Sequence, residues 1–361
     1  MTPGDIGLRV SAGATEDACM SQLLGVAEAR AALDALPGLW WRPFAREELP
    51  EIAAFYEVCE SFDGNPERTL LPELQEFFDS PRSVPAQDTL VGVEAGGAVV
   101  ATAWAGCNRA VTEKRGVYLG GAVHPRRRGE RIGRAVLRWE LAHGSDWDHQ
   151  SREPGHGPLV MRLLAPTAQT DVRDLAVRHG LSAERFFFEM SQRLSTPVQV
   201  PAVEGIRLCD WDSQRADEVH ALLNSAFRGS WGHVDATPQM WQEQLASHTF
   251  RPAWSVLAVD GTTGDVVGVA VNVAYQQDWA PQGHTEGYTD RLAVRAGHRG
   301  RGIATGLLAA SMRRFHGAGL DAAGLSVDSA NPSGAARLYE ALGYQQTAST
   351  CIHQLTRPAA D

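Results

Sequence analysis

The residues that first suggest chemistry are Arg299-Gly300-Arg301-Gly302-Ile303-Ala304-Thr305. They follow an alternating apolar stretch, Gly287-Tyr-Thr-Asp-Arg-Leu-Ala-Val294. They precede a run in which Ile303, Leu307, Leu308, Met312 and Phe315 share one face of a helical period. The loop thus opens a helix directly after a strand. A helix N-terminus offers unpaired backbone N–H groups and the positive end of a dipole. Glycines let a ligand approach the backbone, and arginines add charge-assisted bonds. The pattern suits a pyrophosphate. A P-loop would need Gly-Lys-Ser/Thr, and a dinucleotide fingerprint would need a third glycine where Thr305 stands.

A second copy lies upstream. Val123-His-Pro-Arg-Arg-Arg128-Gly129-Glu-Arg-Ile-Gly133 aligns without gaps to Val294-Arg-Ala-Gly-His-Arg299-Gly300-Arg-Gly-Ile-Ala304 at an offset of 171. Further on, Arg178-His-Gly180-Leu181 aligns with Ala341-Leu-Gly343-Tyr344 at an offset of 163. The extra residues of the first copy are expected in a loop over 144–158. Each copy reads as a strand, an Arg/Gly loop, a helix, a short strand (159–164; 323–327) and a second helix, preceded by hairpins around Glu94-Ala-Gly-Gly97 and Asp260-Gly-Thr-Thr-Gly264. Antiparallel strands followed by strand–loop–helix–strand predict a mixed α/β (α+β) sheet in each half. The proline-containing segment Ser195 to Gly205 reads as a linker. The expected organisation is an extension at 1–38, a first domain at 39–195, a linker at 196–204 and a second domain at 205–361.

The 361 residues carry a net charge of −10, with 43% hydrophobic and 21% charged residues. That is ordinary for two globular units and poor for general binding to nucleic acid. Arg126, Arg127, Arg128, Arg131 and Arg134 form a basic run without aromatic interleaving, so no nucleic-acid partner is expected. No apolar run approaches a membrane span, and the first ten residues do not read as a signal peptide. Five scattered cysteines without a CxxC argue against disulfides or a metal site and for the cytoplasm. The sequence leaves the oligomeric state open.

With these motifs in place, the chain resembles the GNAT N-acetyltransferase superfamily, whose Gln/Arg-x-x-Gly-x-Gly/Ala loop is matched by Arg299, Gly302 and Ala304. Asn331-Pro-Ser-Gly-Ala-Ala-Arg-Leu-Tyr339-Glu-Ala-Leu-Gly-Tyr344 looks like its later Asn…Tyr…Gly-aromatic segment. The tandem arrangement is similar to two-domain members of the mycothiol synthase type. The resemblance covers nearly all of 205–361 and, more weakly, 41–194. It implies two tandem GNAT-like folds and acetyl-CoA as co-substrate. It further implies acetyl transfer to a primary amine of a small molecule by direct attack on the thioester. Leu292, Ala293 and Val294 would pair with the pantetheine arm, and Arg299, Gly300, Arg301, Gly302, Ile303, Ala304 and Thr305 would wrap the pyrophosphate. Asn331 would contact CoA, and Tyr339 would protonate the departing thiolate. In the first half, Ala122, Val123, Arg128, Gly129 and Gly133 match, but Ala176 and Ala168 replace Tyr339 and Asn331, and Arg131 replaces Gly302. The first domain is therefore expected to be non-catalytic: structural, or a holder of CoA without turnover. Where the family often carries a glutamate this chain has Tyr288. Glu286 and Asp290, on the same strand face, are the expected bases, acting through water. Trp231-Gly-His233 and Trp279 stand where acceptor loops fall. The competing readings are a non-catalytic acyl-CoA sensor, and acetylation of an aminoglycoside or a protein amine.

Overall fold

The computed structural model describes residues 25–65, 67–80, 83–109, 114–331 and 334–359. Most of the expected N-terminal extension lies outside them. Its described part forms α1 (Val26–Asp34), which buries Ala29 and Leu33 against the first half's core. In chain order there follow β1 (Trp40–Arg42), α2 (Leu49–Phe62), α3 (Leu71–Asp79), α4 (Pro85–Asp88), β2 (Thr89–Val93), β3 (Val99–Cys107), β4 (Arg115–Val123), α5 (Ile132–Ser151), β5 (Leu159–Pro166), α6 (Thr170–Arg178) and β6 (Ser182–Arg193). The second half runs β7 (Ile206–Asp210), α7 (Ala216–Phe227), α8 (Pro238–Ala246), β8 (Val256–Asp260), β9 (Val266–Val273), α9 (Gln276–Gln282), β10 (Glu286–Val294), α10 (Ile303–Gly317), β11 (Ala322–Asp328), α11 (Ala335–Ala341) and β12 (Gln345–Arg357).

The halves fuse into one twelve-stranded sheet of order β1-β2-β3-β4-β5-β12-β6-β11-β10-β9-β8-β7. Only β4–β5 and β10–β11 are parallel pairs; the other pairs are antiparallel. The terminal strands are exchanged. β6, the last strand of the first half, pairs with β11 from Ala322↔Arg193 to Asp328↔Phe187. β12, the last strand of the second half, pairs with β5 from Thr350↔Pro166 to Arg357↔Leu159. The expected linker is pinned across this body: Val198, Val200 and Val203 pack on the second half's cores, and Gly261 N–H donates to Gly205 O.

Helices cover both faces of the sheet, as the double burial of β2, β8 and β9 requires. Leu90, Val100 and Ala103 meet Ile132, Val136 and Trp139 of α5, while Val91 and Val93 meet Leu49 and Ile52 of α2. In the second half Val256, Ala258 and Ala270 meet Ile303 and Leu307 of α10 on one face, and Leu257, Val269 and Val271 meet Val219 and Trp241 on the other. One expectation fails. The polar stretch over 144–158 is not all loop, because α5 continues to Ser151. Trp147 lies under the Arg115 guanidinium, and Asp148 pairs with both Arg115 and Arg152, so this turn of helix has partners that its composition hid.

Candidate functional site

Two forks in the sheet set the geometry. β10 pairs with β11 from Glu286↔Ala322 to Thr289↔Leu325, and there the pairing stops while β10 runs on to Val294. In the first half, β4 leaves β5 after Leu119↔Leu163. On its other side β10 stays paired to β9, with a register shift between Thr289 and Arg291, so Asp290 forms a bulge. β4 pairs with β3 in unbroken register. Arg295 N–H donates to Val267 O. Strand alternation therefore turns the N–H groups of Leu292 and Val294 away from β9, onto the open edge of the fork. Beneath the fork, Thr289 Oγ1 donates to Asn272 Oδ1 (2.8 Å), and Asn272 Nδ2 donates to Ser311 Oγ (2.8 Å) and Trp254 O (2.7 Å). This buried network fixes β10 on β9 and α10 where it parts from β11.

The loop beyond the fork is built alike in both halves. Gly300 (φ 77°) and Gly302 (φ 78°) match Gly129 (φ 85°) and Arg131 (φ 65°). Arg131 is the only non-glycine with positive φ among the described residues, and it opens α5 as Gly302 opens α10. The first half thus keeps the loop's backbone path despite its side chain. Arg299 Nε donates to Val294 O (3.3 Å) and Nη2 to Ala226 O (3.2 Å). Arg128 Nε likewise donates to Val123 O (3.1 Å), with its Nη atoms on Asp63. Both arginines brace loop to strand, so the loop's anion-binding capacity rests on its backbone. Arg301 reaches Glu204 O (3.0 Å). Gly306 N–H is the first to close on the helix, onto Gly302 O (3.0 Å), leaving the amides of Ile303, Ala304 and Thr305 as the helix's free N-terminal donors. Of the basic run, Arg126 and Arg127 pair with Glu94 and Arg128 with Asp63, which neutralises much of the surface a nucleic acid would need.

Tyr339 lies on α11, buried among Met190, Leu325 and Val327 with its ring edge-on to Tyr344 at 6.1 Å. Burial pushes its phenol up to about 12, so it is protonated at neutral pH. The chain after the helix confirms the repeat's alignment. Tyr344 N–H donates to Tyr339 O (3.0 Å), and Leu181 N–H donates to Ala176 O (3.1 Å). Ala176 is fully buried, so the first half has a methyl where the second has a phenol. Asn331 sits on the surface after β11, its N–H on Asp328 O (3.0 Å).

The two expected carboxylates are both engaged. Glu286 Oε1 accepts from Ser191 Oγ (2.6 Å) and faces His284 Nε2 at 3.6 Å; burial raises its pKa against these partners. Asp290 Oδ2 accepts from Gln244 Nε2 (2.9 Å) and lies 3.3 Å from Arg291 Nε. The sequence reading missed Glu189. This residue of β6 accepts the Tyr288 hydroxyl (2.8 Å) and stands opposite Ser326 across the β6–β11 ladder. Burial raises its pKa, with the Ser326 and Tyr288 bonds opposing. Its signal was faint: one acid in the apolar run Phe186-Phe-Phe-Glu-Met190, assigned to the wrong half's sheet.

The acceptor aromatics divide. Trp279 Nε1 donates to Glu286 O (3.0 Å) and its ring packs on the core. Trp231 has the guanidinium groups of Arg162 (5.0 Å) and Arg185 (5.4 Å) over its ring, and His233 meets Asp235 at 3.0 Å. Among the described residues one trio of metal-ligand types, Asp88, Cys107 and His143, comes within 4.8 Å. Asp88 is already bidentate to Arg109, and burial pushes the Cys107 thiol up to about 12, a donor set suited to a salt-bridged core.

A cavity of about 2120 Å³ follows the first half's fork rather than the second's. It is lined by Gly120–Val123, by the loop at 127–134 and by Leu164 and Gln169. It extends past Glu60, Glu67 and Glu73 to Glu189 and Ser326, where it meets the second half's strands.

Residues 216–344 match the model of the Acetyltransferase (GNAT) family. Over 233 residues the chain is 30% identical to a mycothiol acetyltransferase of Thermobispora bispora, covering 62% of this chain and 70% of that one. The chain belongs to the GNAT acetyltransferase family. A mycothiol acetyltransferase of Propionibacterium freudenreichii is 27% identical over 191 residues, 52% of this chain and 59% of that protein. In fold, this GNAT chain is similar to a GCN5-related N-acetyltransferase from Sphaerobacter thermophilus (TM-score 0.71, 24% identity, 90% of this chain and 98% of that one). It also resembles a tandem GNAT protein from the clavulanic acid biosynthesis pathway (TM-score 0.65, 17% identity, 90% and 100%). The GNAT assignment makes the protein an N-acetyltransferase with a mixed α/β fold, as the motifs implied. No helix among the described residues is long and apolar enough to cross a membrane.

Proposed function

We propose that this chain transfers an acetyl group from acetyl-CoA to a primary amine of a small molecule, and that its second half performs the chemistry. The observation that carries the reading is the combination unique to that half: a bulged strand leaving its neighbour at Thr289, a glycine loop beyond it, and Tyr339 on the following helix. The first half has the fork and the loop path, but Ala176 in place of the phenol.

The residues fit the co-substrate. The free edge of β10 at Leu292–Val294 suits an amide-bearing arm. The amides of Gly300 to Thr305, with small side chains at Gly300, Gly302 and Ala304, suit its diphosphate, and Asn331 borders the same end. Acetyl-CoA supplies an activated thioester. The N–H of Leu292 would stabilise negative charge on the carbonyl oxygen, and Tyr339 would hand its proton to the sulfur. An acceptor amine is an ammonium ion at neutral pH, so a carboxylate on the Tyr288 face of β10 must first take a proton; Glu286 and Asp290 are the sequence candidates. The first half, at Ala122, Val123, Arg128, Gly129 and Gly133, would hold CoA without turnover.

The cavity is basic along its loop, at Arg127, Arg128, Arg131 and Arg134, and acidic at the end lined by Glu60, Glu67, Glu73 and Glu189, and that acidic end suits a cationic acceptor. The named relatives make the cysteinylated sugar–inositol amine of mycothiol assembly the first acceptor to try, and aminoglycosides the second. The test is thiol release from acetyl-CoA across a panel of primary amines. Turnover with a small amine supports the reading. Tight CoA binding with no turnover on any amine would replace the enzyme by an acyl-CoA sensor.

A further inference from the structure

We propose that Glu189, on the strand that the first half lends to the second half's sheet, is the proton acceptor for the attacking amine, with Tyr288 as its positioning residue. The inference rests on the acetyl-transfer reading above and narrows it to one carboxylate.

The argument is geometric. Tyr288 stands one residue before the end of the β10–β11 pairing, hence at the fork. Its hydroxyl passes over β11 to Glu189 Oε2 (2.8 Å) on β6. The strand between them has Gly324 beneath this bridge. A Cβ there would lie 2.4 Å from Glu286 Oε2 and 2.9 Å from Tyr288 Cδ2, so only glycine leaves the path clear. Of the three carboxylates on this face, only Glu189 lines the large cavity, together with Phe187 and Ser326. Glu286 is turned to Ser191 and His284, and Asp290 to Gln244 and Arg291. The groups that face Glu189 are Tyr288 and Glu286 on β10, Ser326 on β11, Thr347 at its backbone oxygen on β12, and Glu67 from the segment between α2 and α3. On its own strand, Arg185 is directed to Asp328 at 3.8 Å. Among the described residues no cation pairs with Glu189, and burial beside Glu286 and Glu67 raises its pKa above the ordinary carboxylate value, which favours its taking a proton.

The step balances as follows. One ammonium N–H proton passes to Glu189, and the freed lone pair forms the C–N bond to the acetyl carbon. The C–S bond breaks with its electron pair on sulfur, which takes a proton from Tyr339. The second N–H proton, lost as the amide forms, replaces the one Tyr339 gave. The proton on Glu189 leaves to solvent.

The test is the pH dependence of thiol release from acetyl-CoA with the best amine of the panel, for wild type, Glu189→Gln, Glu189→Asp, Tyr288→Phe and Glu286→Gln. Glu189→Gln should lower kcat/KM by about 100-fold at pH 7. The deficit should shrink as pH rises and the amine loses its proton unaided. Glu189→Asp should recover part of the rate, and Tyr288→Phe should move the acid limb to higher pH. CoA affinity by calorimetry should be unchanged in all four variants. A loss in Glu189→Gln that is equal at every pH would mark a structural residue and overturn the proposal. Full activity in that variant, or transfer of the acid limb's loss to Glu286→Gln, would do the same. A wild type that turns over no amine would overturn this proposal and the acetyl-transfer reading together, whereas an active wild type with an unaffected Glu189→Gln overturns this one alone.

Discussion

Tyr339→Phe removes a single oxygen from a ring whose packing against Tyr344, Met190 and Leu325 stays in place. The expected result is a kcat lower by about 100-fold or more with CoA affinity unchanged, read by steady-state thiol release and calorimetry. A second residue-scale prediction concerns Glu140 on α5. It is buried at 2% exposure with Oε1 unpartnered, and burial pushes its carboxyl up to about 8. In the unfolded chain the same group titrates near its ordinary value of about 4.3. Between these values the folded state binds the extra proton, so stability falls as pH rises from about 4.3 to 8, then levels off. Glu140→Gln should abolish that decline. Its gain in unfolding free energy over wild type, read by denaturant titration, should be absent at pH 4, grow through neutrality, and reach on the order of 2–4 kcal/mol at pH 8; a pH-independent difference would place the cost elsewhere. The residue scale is also where the sequence was read least well. Tyr339, Gly302 and Ala176 could be located because each belongs to a motif with fixed spacing. Glu189 could not, since its proposed role depends on Tyr288, 99 residues away in the chain, and spacing within one segment carries no such information.

At the scale of the element, the loop that opens α10 and its counterpart before α5 have nearly the same backbone angles, although one position is glycine and the other arginine. A side chain alone therefore does not close such a loop; a negative charge beside its unpaired amides would. Wild type is expected to take up two equivalents of CoA by calorimetry, and Gly302→Glu to take up one, with thiol release abolished. Loss of all binding in that variant would assign no nucleotide to the first half. Strand–loop–helix grammar was legible in both copies because apolar period and glycine punctuation mark it locally. The fork, the bulge at Asp290 and the arginine braces were not, because each is a relation between a strand and whichever neighbour it leaves or keeps. The extra turns of α5 were hidden for a similar reason: Asp148 and Trp147 read as polar and aromatic loop residues until Arg115, from β4, is brought beside them.

For the whole molecule, the repeat in the sequence suggests two separable units, and the exchanged strands join them into one. β11 has β6 as its antiparallel neighbour and β5 has β12, so a cut in the linker leaves each half with an unpaired edge through its own core. Residues 205–361 expressed alone are expected to be insoluble or to lack cooperative unfolding. Co-expression with 25–204 should restore a soluble complex, and the intact chain should melt in one transition by both calorimetry and circular dichroism. Two independent transitions would mean that the sheet's centre contributes little. The exchange also reaches into biosynthesis. When β5 leaves the ribosome, the strand that will flank it is still nearly half a chain away, and β6 emerges long before β11. Until β12 arrives, the nascent first half carries a bare sheet margin beside β5, an edge exposed to aggregation. A frameshift across the codons for Thr350 to Arg357 would accordingly strip β5, in the half made first, of its neighbour.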